Sequence, residues 1–135
     1  MTQEIKPAYA TFEQAKWFYE KGFNEQCLAI YQDGEILQLK STISNSQFMT
    51  SRNYTAPEQH VVVEWLRVNY GIWVQGPFPI NNGKWEWVIF LLNEPLENTD
   101  GYKNIMSLHT KQRQFNSPQE AYSAAFDYIL NNLIW

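Results

Sequence analysis

The sequence predicts an α+β domain: one antiparallel sheet of about four to five strands, packed with three helices, in a single domain over residues 1–135. Three observations carry this. Helix starts with capping signals recur at three places. Asx-Gly turns sit between runs that alternate apolar and polar residues. The order reads helix, hairpin, helix, two or three strands, helix, which favours strands paired with their neighbours and helices laid against them.

The first helix is marked by "TFEQAKWFYEKGF". Thr11 caps it, with Gln14 three residues on as the reciprocal partner. Gly22 ends it in a left-handed turn, and Phe23 folds back on the last turn. Phe12, Ala15 and Phe18 or Tyr19 form the stripe expected to be buried. "QCLAIYQDGEILQLK" then reads as a hairpin, with Asp33-Gly34 supplying the positive φ angles of its turn. The polar run 41–53 is a connector, with a short strand expected around Phe48.

The second helix follows "TAPEQ". Thr55 and Glu58 have the spacing of a capping box, and Pro57 falls where its missing N–H costs nothing. Val62, Trp65, Leu66 and Tyr70 lie on or near one face, and Gly71 stops the helix. Next, "IWVQGPFPI" and "KWEWVIFLL" flank "NNG", the strongest strand signal in the chain. Trp85, Trp87, Ile89 and Leu91 share one face, with Glu86, Val88, Phe90 and Leu92 on the other. Both faces are apolar from Val88 onward, so this strand is central, while Pro77 and Pro79 push its partner to an edge. "NEPLENTDGYKN" is a loop, and "IMSLHTKQRQF" is expected to be a strand. "SPQE" opens the last helix, with Ser117 as cap, Pro118 at its first position and Glu120 closing the box. Its core face is Ala121, Ala125, Tyr128 or Ile129, and Leu133.

At 135 residues and 44% hydrophobic, the chain has enough apolar side chains for one core. The net charge of −4, with ten scattered Lys and Arg, argues against general nucleic-acid binding, which needs a clustered basic surface. Cys27 is the only cysteine, which excludes an intramolecular disulfide and argues against a thiolate metal site. The first residues are polar with no apolar signal core, and no run is long enough to span a membrane. A cytoplasmic location, in the bacterial host, is the expectation.

Those helix motifs also carry a resemblance. "TFEQAKWFYEKGF", "APEQ" leading into "EWLRVNYGIWV", and "SPQEAYSAAFDYILNNLI" resemble small uncharacterised proteins of phages and prophages of Bacteroides and related gut bacteria. Their pattern is an early "A-K…EKGF" helix, a middle "APTQ…WLRE" helix feeding a strand, and a final "Y-EA…AL" helix. The shared positions are mostly caps and core residues, so the resemblance carries no functional residue over. Asn69 and Tyr70 stand where family members often have His. "QGPFPINNG" and the "NEPLENTDGYKN" loop are specific to this chain.

No catalytic set emerges. His60 lies one turn from Glu64 and near Glu58, but a zinc helix needs a second histidine, so a solvated His–Glu pair beside a cap is expected and no metal or cofactor. Cys27 is mid-strand in apolar surroundings, where thiols are inert. Glu86, Glu94, Glu97 and Asp100 are not marked as an acid/base pair. Two groups remain. Trp73, Trp85 and Trp87 offer flat surfaces for a ligand to stack on. His109, Lys111 and Arg113, on one face of the expected strand, form a row suited to a phosphate or carboxylate. These six are the candidate ligand-binding residues. Ile134 and Trp135, an apolar end, are candidate contacts of a homodimer. The expected function is a non-catalytic binding protein of phage type, sequestering a nucleotide-like small molecule or blocking a host protein, in a counter-defence role. A phage structural or accessory protein assembling through aromatic surfaces, or an enzyme of unrecognised type, are the competing classes.

Overall fold

A computed structural model describes residues 6–47 and 53–134. It is α+β, with three helices, but its strands form two three-stranded antiparallel sheets. The expected single sheet of four to five strands is therefore corrected. Contacts divide the chain into two compact units, Met1–Val61 and Val62–Trp135.

In the first unit, α1 (Phe12–Glu20) precedes β1 (Cys27–Gln32), β2 (Glu35–Ile43) and β3 (Asn53–Thr55), paired in the order β2-β1-β3. The capping box forms as its residues require. Thr11 Oγ1 accepts from the Gln14 N–H at 3.2 Å, and Gln14 Oε1 accepts from the Thr11 N–H at 3.0 Å. At the other end Gly22 takes φ 95°. The Phe23 N–H then donates back to Phe18 O, and the Gly22 N–H to Tyr19 O, satisfying two carbonyls of the last turn. Gln14, Ala15 and Phe18 are buried, whereas Tyr19 is 44% exposed and Phe12 half-buried. Both of these rings instead lean on Tyr54, and Phe12 also on Tyr31.

Asp33 and Gly34, at φ 52° and 83°, make the two-residue turn between β1 and β2. Pairing is regular from Gln32↔Glu35 to Ala29↔Gln38, then jumps to Cys27↔Ile43. Over that jump β2 carries three more residues than β1 and must bow away from it. Asn45, in the polar connector, is buried: its Nδ2 donates to Phe23 O and its Oδ1 accepts from the Thr55 N–H, each at 2.8 Å. The strand expected around Phe48 lies outside the described residues.

The Thr55–Glu58 capping box does not form. Thr55 ends β3, and the extended chain continues, with Ala56 N–H on Ala29 O and Ala10 N–H on Pro57 O. Ladder bonds claim this backbone, so α2 starts four residues past Thr55 and spans Gln59–Tyr70. Its Val62, Val63, Trp65 and Leu66 are buried.

In the second unit β4 (Ile72–Ile80), β5 (Lys84–Pro95) and β6 (Tyr102–Met106) pair in that order, followed by α3 (Pro118–Asn132). Asn82 and Gly83 both take positive φ in the β4–β5 turn. β5 is central as expected, and Glu86 to Ile89 are buried in succession, so both faces are covered. β4 is an edge strand whose register slips between Gln75 and Phe78, across Gly76-Pro77. Ser117 Oγ accepts from the Glu120 N–H at 3.1 Å, while the Glu120 carboxylate reaches back to the Asn116 N–H at 3.0 Å. α3 packs on β5 and β4, with Ala121 and Ala125 fully buried alongside Phe126, Ile129 and Leu130. Tyr128 and Leu133 are only half-buried.

Candidate functional site

The expected strand at 105–115 is not one strand. β6 starts earlier, at Tyr102 inside the expected loop, and ends at Met106; Ser107–His109 then turn as a 3-10 segment. His109, Lys111 and Arg113 therefore sit on a loop, and the straight row required by a strand is lost. Ser107 starts that loop buried, its Oγ accepting from the Trp87 N–H at 3.1 Å. The Thr110 hydroxyl shares its proton between Ser107 O at 2.7 Å and Gln112 O at 2.8 Å, which folds the loop on itself. Phe115 closes it by exchanging two backbone hydrogen bonds with Trp85, at 2.8 and 2.9 Å.

Between this loop, β5, β6 and α3 lies a cavity of about 530 Å³. Its apolar wall is Trp87, Phe115, Ile105, Ala124 and the Tyr128 ring. Tyr128 lies against Trp87 with ring centroids 5.4 Å apart and planes tilted by 47°. Trp87 is 2% exposed, and its indole N–H is sealed from solvent with no hydrogen-bond partner. A ligand here meets rings, not that donor. Around the mouth stand His109, Thr110, Lys111 and Gln112 on the loop, and Asp127 and Asn131 on α3. Asn131 is held by its amide on Asp127 O at 2.8 Å.

Two of the three residues of the expected His–Lys–Arg row, His109 and Lys111, thus line one cavity with one of the three tryptophans. Lys111 and Arg113 are exposed and, among the described residues, have no ion-pair partner. Arg113 is on the same loop but outside the cavity wall. The tryptophans do not cluster. Trp73 pairs with Phe90, which puts it on the opposite face of the sheet from Trp85, Trp87 and Ile89, and its indole N–H donates to Gln75 Oε1 at 3.2 Å. Trp85 serves the backbone bridge to Phe115. The cavity residues not expected include Phe115 and, on α3, Ala124, Asp127, Tyr128 and Asn131. The four on α3 have the spacing of one helix face, which is a signal in the sequence.

At the chain end, Ile134 is 3% exposed, so it is not the exposed apolar tail that a dimer contact requires. Trp135 lies outside the described residues. His60 pairs with Glu58 at 2.9 Å and not with Glu64, whose carboxylate takes both guanidinium donors of Arg67 at 2.9 Å. That bidentate bond holds the Glu64 carboxyl below its usual range. Among the described residues no three His, Cys, Asp or Glu side chains are grouped to hold a metal ion, and no helix is long and apolar enough to cross a membrane. Comparisons with protein-family models, with curated proteins and with solved structures give no match.

Proposed function

We propose that this chain is a non-catalytic binding protein that sequesters a small, planar, anionic, nucleotide-like molecule in the cavity between β5, β6, the 107–115 loop and α3. One observation carries the reading: an aromatic-walled cavity whose mouth holds Lys111 and His109. Its volume falls in the range of small-ligand sites, which are mostly apolar with a few placed polar groups. Tyr128, half-buried, offers a flat ligand a ring to pack on, while Trp87 and Phe115, 2% and 3% exposed, back the wall behind it. Lys111 brings a positive charge to one side of the mouth, to hold an anionic group, with Asp127 on the other side. Asp127 and Asn131 supply polar atoms for the ligand's ring substituents. The phage-type resemblance of the helix motifs gives the reading a setting, in which titrating a host signalling molecule is a counter-defence act.

The test is a melting-temperature panel of mononucleotides and cyclic nucleotides. A ligand at a hundred times its Kd raises stability by about 2.7 kcal/mol. Lys111→Ala, at an exposed position, should reduce the shift with the unliganded melting temperature nearly unchanged, while Tyr128→Ala, which also removes packing on Trp87, should reduce the shift measured from its own lower unliganded value. A flat panel rejects the small-ligand reading and leaves the blocking of a protein partner as the mode of action.

A further inference from the structure

A second cavity, of about 340 Å³, lies within the first unit where β2 bows away from β1. The three extra residues of β2 between Gln38 and Ile43 leave Leu28, 56% exposed, without a register partner on β2. Pro7, Leu28, Leu39, Ala56 and Val61 make most of the wall apolar. Tyr9, Gln26, Gln38 and Thr42 add neutral polar groups, and Tyr9 and Gln38 already bond to each other at 3.3 Å. Glu58 is the one charged residue among those lining it. Its Oε2 is held by His60 at 2.9 Å, which orients the carboxylate and leaves Oε1 available to a second donor. No cationic side chain lines the cavity.

The cavity also contains Cys27, 6% exposed. Burial pushes its thiol up from the ordinary range, and the carboxylates of Glu25 and Glu58 push in the same direction. The Thr55 hydroxyl beside it moderates the rise, although it completes no well-formed hydrogen bond. Glu25 and Glu58 thus make the field at this end of the cavity negative, which favours a positive charge there.

We propose that this cavity binds a small organic cation, a primary ammonium on an apolar body, with the ammonium on Glu58 and the body against Leu28, Leu39 and Val61. The site is separate from the cavity beside Trp87 and takes ligands of the opposite charge. Glu58 was legible as a helix starter; the delayed start of α2 frees its carboxylate for this wall.

Cys27 is the only cysteine of the chain, so a thiol reagent reports on this cavity alone. The experiment follows the rate of reaction of Cys27 with DTNB, on the full chain, in the presence of n-hexylammonium, hexanol or hexanoate. These share one body and differ in the head group. The expected result is at least a threefold slowing by hexylammonium, with hexanol and hexanoate near baseline, and loss of the slowing in Glu58→Gln. Glu58 is at the surface and its substitution leaves the apolar wall intact, so the variant's unliganded rate serves as its own reference. No slowing by hexylammonium, equal slowing by all three compounds, or slowing that persists in Glu58→Gln each overturns the proposal.

Discussion

Gly71 shows most directly how one side chain's absence is required. Its φ is 63°, and a Cβ there would stand 2.5 Å from Asn93 Nδ2 on β5. Gly71→Ala therefore meets backbone strain and makes the exposed Asn93 amide shift aside, and should lower stability by about 1–2 kcal/mol in urea titration. Adding Asn93→Ala should restore only part of that, because the strain at φ remains. The two threonines at apparent helix starts differ in the same concrete way. Thr11 caps α1, so Thr11→Ala should cost about 1 kcal/mol. Thr55 has a buried hydroxyl without a well-formed partner, so Thr55→Val should be near neutral or slightly stabilising. An equal loss in the two variants would contradict the assignment of Thr55 to β3. Cys27 has a pH signature. Its folded thiol ionises at higher pH than the unfolded one, so the folded chain binds more protons between the two values. Stability should fall as pH rises through the ordinary thiol range, and Cys27→Ala should remove that part of the fall.

At the scale of elements, local signals were legible wherever the segment satisfies itself. The α1 box, the Asp33-Gly34 turn, the "NNG" turn, Ser117 as cap and the central placing of β5 all follow from residues within a few positions of one another. The misread elements were settled by distant partners. Thr55–Glu58 has the right spacing for a box, yet Ala29 and Ala10 take its backbone into a ladder. "IMSLHTKQRQF" alternates like a strand, but β6 pairs with β5 only as far as Met106, opposite Val88. Beyond it, Ser107 turns the chain inward to meet the Trp87 N–H. Long-range pairing of this kind leaves no local mark. The closeness of α3 to its sheet was readable from Ala121 and Ala125, both fully buried. Ala125→Leu should overpack that contact and lower the stability measured by urea titration by about 1–3 kcal/mol, whereas Asn132→Leu, at an exposed position, should not.

For the molecule as a whole, two sheets of three strands replace the single larger one because neither hairpin's strands pair with the other's. Two short hydrophobic hairpins and one wide sheet have the same alternation, and sequence period alone does not choose between them. Of the candidate site, His109, Lys111 and Trp87 were legible as residue types and come together in one cavity. Trp73 was not separable from them until the register put it opposite Phe90. Binding through Lys111 at the cavity mouth should weaken as salt rises, since an exposed charge is screened within about 10 Å at 0.1 M ionic strength. The most direct test is a chemical-shift titration of the ¹⁵N-labelled chain with adenosine monophosphate. The proposed function predicts saturable shifts at His109, Lys111, Phe115 and Tyr128, with the amides around Tyr9 and Cys27 unmoved. Absence of saturable shifts up to millimolar nucleotide, or shifts confined to other residues, would contradict it.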